Sequence, residues 1–301
     1  MHDTIIIGAG IAGLTAALYA SRKRMDFLIL SSDFGGQFNV SGKVYNYPGI
    51  VETTGQELTE KMMKQMKEND VNVKQETVES IEKSDDGFIV KTGKSEYETK
   101  TVIIAAGARA RKLGVPGEEE LANKGVTYCS ICDGPLFKGK DVAIIGAGNA
   151  GLEGADFMLD IAKSIKIIDT NNESPAHEYL KEKILDHEKV EFINKADVKE
   201  IYGDKFVEGL KYEKDGEEHD LKVQGVIIEI GRVPNTDFLG DFVEKDEHDH
   251  IKIDCRTHTS QEGVFAAGDC ASGHEYQYVI AAGQGCMALL KVARYLANRK
   301  E

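Results

Sequence analysis

Residues 4–13 read TIIIGAGIAG, an apolar strand that runs straight into Gly8, Gly10 and Gly13, with the helix-forming LTAALYASRK behind it. Each glycine answers a separate steric demand. The first makes a tight turn and the second lets an anionic group approach the backbone. The third lets helix pack close on strand, so that the helix amino terminus faces a pyrophosphate. Residues 141–151, DVAIIGAGNAG, repeat the arrangement with Gly146, Gly148 and Gly151, and LEGADFMLDIAK follows. One such match carries little weight; two, each framed by strand and helix, point to two dinucleotide-binding units.

The repetition extends past the glycines. After the first unit, KSDDGFIV and KTGKSEYETK signal hairpins, and TVIIAAGA (101–108) reads as a strand closed by Gly107. After the second, KYEKDGEEHDLKV signals a hairpin and GVIIEIGR (225–232) a strand. This is an internal duplication of a whole domain. Residues 243–301, with GVFAAGDCASGHEYQ and the amphipathic VIAAGQGCMALLKVARYLANRK, are too few for a third domain and are expected to complete the first. The fold class is therefore α/β, with two Rossmann-like dinucleotide-binding domains of the three-layer ββα type, the second inserted into the first. The expected first domain comprises residues 1–113 and 243–301, and the second 114–242. The joins would lie near KLGVPGEE and PNTDFLGD, where Pro, Gly and charge cluster.

The bulk properties agree. A chain of 301 residues, 41% apolar and 29% charged, suits two soluble domains. A net charge of −14 argues against nucleic acid or anionic membrane as a partner. No apolar run approaches the ~18–20 residues of a membrane span, and MHDTIIIGAG lacks the layout of a signal peptide. The expected location is the cytoplasm, where thiols stay reduced.

Five cysteines are too few and too scattered for a disulfide framework. Two of them, Cys129 and Cys132, stand three apart in CSICDG, followed by Asp133. Such a pair can supply half a metal site, a structural disulfide or a two-electron shuttle. Zinc needs two more ligands; Cys255 and Cys270 belong to the other domain and no His pair flanks Cys129, so no metal is expected. A structural disulfide is out of place in a reducing compartment. The redox reading is the one retained. Cys255, Cys270 and Cys286 read as ordinary buried thiols.

The strand SIKIID ends on Asp169, in register for a carboxylate that hydrogen-bonds an adenosine ribose, while capping of the next loop is the alternative. No Arg occurs between Arg111 and Arg232 to receive a 2′-phosphate, so NADH should be preferred over NADPH. In the first unit the matching position is Ser31, with no acid in register.

Taken together, the first glycine motif, GGQ (35–37), NYPG (46–49), CSICDG (129–134), PNT (234–236) and GVFAAGD (263–269) resemble the low-molecular-weight thioredoxin reductase family of flavoproteins, over essentially the whole chain. CDGPLFKGK with FAAGDC looks most like the reductase portion of the alkyl hydroperoxide reductase flavoprotein subunit, an NADH-preferring relative. The His-Arg-Arg segment of NADPH-using members has no counterpart after Asp169, and the peroxide-reductase subunit's amino-terminal thioredoxin-like extension is not expected.

The resemblance implies FAD on the first unit, with Gly8, Gly10 and Gly13 at its pyrophosphate and Asp269 at the ribityl–phosphate region. It further implies Gly36, Gln37, Asn46, Gly107 and Gln277 around the remainder of FAD, and NADH at Gly146, Gly148, Gly151 and Asp169. By the same resemblance Cys132 is the flavin-facing thiol, Cys129 attacks a partner's disulfide, and Asp133 serves as general acid. Electrons would pass from NADH through FAD to the Cys pair, the domains alternating between docked states. The implied partner is a thioredoxin-like or glutaredoxin-like protein, with a peroxiredoxin downstream, and the implied assembly a homodimer. Three other readings stay open: a ferredoxin-linked reductase, a dithiol oxidase, and a flavin-bound sensor without turnover.

Overall fold

Parallel strands buried on both faces need near-continuous apolar runs, and the computed structural model shows where these runs go. It describes the chain except Gly42, Tyr45, His274, Glu275, Lys300 and Glu301, and except the side chains of Val40, Lys43 and Cys132. The chain divides into two compact units, Met1–Arg109 with Val233–Glu301, and Ala110–Arg232.

In the first unit, strand Thr4–Ile7 lies at the centre of a five-stranded parallel sheet. Phe27–Ser31 and then Val73–Gln75 stand on one side, Val102–Ile104 and then Val264–Ala266 on the other. Side chains alternate between faces. Ile6, Ile29, Ile103 and Phe265 therefore pack with residues of helices Ile11–Arg22 and Tyr278–Asn298. Ile5, Ile7, Leu30, Val102 and Ile104 turn the other way, onto Val78, Ile81, Phe88 and Val90 of the antiparallel meander Val78–Lys83, Phe88–Thr92 and Glu96–Thr99. The two helices approach until a Cβ on Gly285 would sit 2.0 Å from the Ala12 carbonyl oxygen. Contrary to the expectation that no run reaches a membrane span, Tyr278–Asn298 has the length and apolar composition of one, although Gln284, Lys291 and Arg294 interrupt it. Here Ala281, Gly285, Ala288, Leu289, Val292 and Leu296 form its buried stripe.

The inserted unit repeats the plan. Asp141–Ile145 is flanked by Ser164–Ile168 and Val190–Ile193 on one side, and by Gly225–Ile228 and Val126–Thr127 on the other, all parallel. One face meets helices Asn149–Met158 and Glu178–Ile184; the other meets the meander Ala196–Tyr202, Gly209–Lys214 and Glu217–Leu221. The two chain crossings, Ala108–Ala110 and Arg232–Pro234, pair as a two-stranded ribbon.

The division falls earlier along the chain than the Pro- and Gly-rich stretches suggest. Leu113 packs on the core of the inserted unit, whereas Leu239 is buried in the first unit with Phe238 and Phe242 against it. Apolar anchors on either side of the ribbon decide the boundary, and the turn residues merely follow it.

Candidate functional site

The glycines take the three separate steric roles. Gly8 has φ +106°, and a Cβ there would meet the Ala105 carbonyl oxygen at 2.2 Å. A Cβ on Gly13 would stand 1.9 Å from the Gly8 carbonyl oxygen, so only glycine lets the helix approach. At Gly10 a Cβ would meet nothing within 4 Å, which leaves open space beside the backbone. The second loop matches: Gly146 has φ +105° and abuts the Glu229 carbonyl oxygen, Gly151 abuts Gly146, and Gly148 faces open space. Gly10 and Gly148 cap their helices without any side-chain cap, and neither first turn carries an acidic residue. An open cradle and a positive helix end whose first turn carries no acid fit a pyrophosphate at each loop.

The residue at the end of the second strand ties down each glycine loop. Ala147 N donates to Asp169 Oδ2 at 2.6 Å, and in the first unit Ala9 N donates to Ser31 Oγ at 3.1 Å. Asp169 Oδ1 accepts from Asn171 N and Nδ2, each at 2.8 Å. Loop capping, the alternative to ribose binding, is therefore realised. Asp169 is only half-buried, and Oδ2, which accepts one bond, keeps acceptor capacity for a ribose hydroxyl.

The residues expected around FAD converge in part. A Cβ on Gly36 (φ +52°) would lie 3.1 Å from Gly10 Cα, and Gln37 Nε2 donates to the Ala108 carbonyl at 3.0 Å, next to Gly107. Gly107 has φ +67° and open space around it. Asn46 Nδ2 donates to Gln277 Oε1 at 3.1 Å. Asp269 is half-buried; the preceding Gly268 has its N–H on Gln284 Oε1 at 2.7 Å and lies against Ala12 at the start of the glycine-loop helix.

Cys129 forms a disulfide and precedes the short helix Ser130–Asp133 in the inserted unit; the side chain of Cys132 lies outside the described residues. The backbone at Cys129 is held on every side. Its N–H donates to Thr127 Oγ1 at 3.2 Å, Thr127 Oγ1 donates to Asp133 Oδ2, and its carbonyl accepts Asp133 N at 3.2 Å. Asp133 thus reaches the Cys129 segment through Thr127. Of the other cysteines, Cys270 is buried and Cys286 half-buried, but Cys255 is exposed, contrary to the expectation for all three. Cys270 points at the Ile104 and Ala267 carbonyls, and burial pushes its thiol up to about 11.

The pyridine nucleotide-disulphide oxidoreductase family matches residues 2–285. The chain belongs to this family. A thioredoxin reductase of Mycolicibacterium smegmatis is 37% identical over 304 residues, covering 99% of this chain and 98% of its own length. An NADH dehydrogenase of Ferdinandcohnia aciditolerans is 39% identical over 297 residues, and a subunit of the alkyl hydroperoxide reductase of Staphylococcus aureus is 37% identical over 299. Each alignment covers 98% of this chain, which spans only 57% and 59% of those two relatives. The crystal structure of Lactococcus lactis thioredoxin reductase superposes with a TM-score of 0.87 at 33% identity, covering 99% of this chain and 100% of that one. The chain has the two Rossmann-like domains of its structural neighbours, the thioredoxin reductases.

Two carboxylates of this chain escape a reading of the sequence. Glu118, 1% exposed, accepts Leu113 N at 3.0 Å, Gly114 N at 2.6 Å and Tyr128 Oη at 2.8 Å, and so fixes the residue before Cys129. Burial and this carboxylate push the Tyr128 phenol well above its ordinary value. Glu229 accepts Ser130 Oγ at 2.8 Å and fixes the residue after. The signal for Glu229 was a lone acid in the apolar run GVIIEIG. For Glu118 there was none, since it is one of three consecutive glutamates.

Proposed function

We propose that this chain is a flavoprotein disulfide reductase that passes electrons from NADH through FAD and the Cys129/Cys132 dithiol to the disulfide of a thioredoxin-like protein. The observation that carries the reading is the meeting of two features in the inserted unit. Glu229 lines the turn of the Gly146–Gly148–Gly151 loop with its carbonyl and holds Ser130, next to the Cys129 disulfide, with its carboxylate. A nucleotide cradle and a reducible disulfide thus share one residue.

FAD would be held by Gly8, Gly10, Gly13, Gly36, Gln37, Asn46, Gly107, Asp269 and Gln277, and bound there it supplies a two-electron relay between nicotinamide and disulfide. The rest belongs to the chain itself. Gly148 and the following helix end receive the coenzyme pyrophosphate, and Asp169 accepts the ribose hydroxyls and repels a 2′-phosphate. Cys132 would exchange electrons with the flavin, and Cys129 attacks the partner's disulfide, forming a mixed disulfide that Cys132 resolves. Asp133 delivers the proton that the departing thiolate needs. The partner is thioredoxin-like or glutaredoxin-like, with a peroxiredoxin as the onward acceptor. We place the protein in the cytoplasm as a homodimer, on its likeness to the family and the reducing conditions a working dithiol requires.

The test is anaerobic rapid mixing of the flavin-loaded protein with NADH, NADPH and reduced ferredoxin in turn, followed by transfer to an oxidised thioredoxin. NADH should bleach the flavin fastest, and Cys129→Ser should keep that bleaching while losing transfer to thioredoxin. Bleaching by ferredoxin but neither coenzyme would replace this reading with the ferredoxin-linked one. Transfer that survives in Cys129→Ser would sink the dithiol route.

A further inference from the structure

Glu229 follows the strand Gly225–Ile228, and its Oε1 accepts twice from a single residue, from Ser130 Oγ at 2.8 Å and from Ser130 N at 3.3 Å. Ser130 is 2% exposed and is joined directly to Cys129. Gly154 of helix Asn149–Met158 closes in as well: a Cβ there would come within 2.3 Å of Ser130 Oγ and 3.8 Å of Glu229 Oε1. Ser130 is therefore held by the carboxylate and crowded by the helix backbone. Burial pushes the Glu229 carboxyl up, opposed by the two Ser130 donors and by the Arg232 guanidinium, and reinforced by Glu153.

We propose that Glu229 is a positioning residue whose charge, fastened to the residue after Cys129, sets the thiol–disulfide equilibrium of Cys129. The proposal rests on the reading of that disulfide as redox-active. Reduction breaks the S–S bond with two electrons from the reductant. At low pH the two sulfurs take up two protons; above the thiol pKa only one is taken up and a thiolate remains. A carboxylate close by disfavours that thiolate and so favours the disulfide, but only at a pH where the thiolate would form. The charged groups facing Glu229 are Arg232, which offsets it, and Glu153, which adds to it. Asp133, at the far end of the Ser130–Asp133 helix, contributes the same sign.

The experiment equilibrates the flavin-loaded parent, Glu229→Gln and Glu229→Asp with graded ratios of reduced to oxidised dithiothreitol at pH ~6 and ~8.5. Thiols are then counted by mass-tagging above the background of Cys255, Cys270 and Cys286. The count requires neither NADH nor thioredoxin, so it stands even if the proposed electron donor or acceptor is wrong. A disulfide that dithiothreitol leaves intact at every ratio would instead overturn the redox reading itself. Glu229→Gln can keep both hydrogen bonds while losing the charge. It should shift the equilibrium toward the dithiol by at least about threefold at the higher pH and less at the lower, the scale of one unit charge several ångströms away near a protein surface. Glu229→Asp should retain the parent's pH dependence. An unchanged equilibrium in Glu229→Gln, a shift of equal size at both pH values, or Glu229→Asp behaving like Gln each overturns the proposal. Should Glu229→Gln fail to fold, Arg232→Gln supplies the opposite measurement. Removing the cation that offsets Glu229 should shift the equilibrium toward the disulfide at pH ~8.5 and less at pH ~6, and no shift is equally fatal.

Discussion

Replacing Asp169 separates two jobs that one carboxylate performs. In the parent, Oδ2 holds the Ala147 N–H and Oδ1 holds the Asn171 N–H and side-chain amide, while the residue is only half-buried. A carboxylate and a 2′-phosphate carrying ~1.5 negative charges, ~5 Å apart, repel by about 1.2 kcal/mol even in water, and by more at the lower dielectric of a protein surface. NADH should therefore exceed NADPH in kcat/KM by at least tenfold, ~1.4 kcal/mol. Asp169→Asn keeps an acceptor for the Ala147 N–H, so its thermal stability should stay close to the parent's while the coenzyme ratio narrows by about that tenfold. Asp169→Ala removes both roles. It should lower NADH efficiency by ~10-fold or more and destabilise the inserted unit by about 1 kcal/mol, because the freed loop N–H groups regain water. Raising the salt from ~0.05 to ~0.5 M should shrink the parent's preference, since exposed charges are screened. The assay is steady-state reduction of an artificial acceptor by each coenzyme, beside urea unfolding of all three proteins. Equal efficiencies with NADH and NADPH in the parent, or a ratio that Asp169→Asn leaves untouched, would refute the reasoning.

The glycine pairs make a sharper contrast. Gly10→Ala and Gly148→Ala meet no atom within 4 Å, so both should fold with stability within ~0.5 kcal/mol of the parent yet lose affinity for FAD and for NADH respectively, measured by flavin retention and coenzyme titration. Gly13→Ala and Gly151→Ala, each 1.9 Å from a carbonyl oxygen, should instead fail to accumulate as folded protein. Glu118→Ala removes the acceptor of the Leu113 and Gly114 N–H groups and of the Tyr128 hydroxyl, all partly buried bonds, and should cost about 2 kcal/mol by urea unfolding; a loss under ~0.5 kcal/mol would show that the carboxylate is not a pin. Cys270 titrates near 11 in the folded chain against 9.0 as the ordinary value, so its contribution to stability is whole below pH ~9 and lost as the pH rises through ~11. Stability should thus fall more steeply over that window in the parent than in Cys270→Ala, and parallel curves would argue against it.

The sequence was legible where a backbone demand admits one residue type. Gly8, Gly13, Gly146 and Gly151 are fixed by carbonyl oxygens close behind them, and such constraints leave the same letters at the same spacing in both halves. The apolar strands were legible for a similar reason, because a central parallel strand has no polar face to show. Asp169 was half legible: its register identified it, but its hold on the Ala147 N–H depends on how closely the glycine loop folds back, which spacing does not encode. Glu118 and Glu229 were hidden because an acidic chain offers many carboxylates and burial is decided by distant neighbours. Leu113 and Leu239 shifted the unit boundaries for the same reason, since turn-forming residues mark where a chain can bend and apolar anchors mark where a core ends.

The paired crossing strands have a consequence for how the chain assembles. At the base of the inserted unit Arg111 N bonds the Gly231 carbonyl at 2.9 Å, and just beyond the ribbon Asn235 N bonds the Gly107 carbonyl at 2.9 Å. The first unit must join Val102–Ile104 to Val264–Ala266 across the whole insertion, an expensive loop to close if the intervening chain is still a coil. Once the insertion has folded, its two ends emerge side by side, and the closure shrinks to that of a short hairpin. The inserted unit thereby lowers the effective contact order of its host, so it should fold first, and slowing it should slow both.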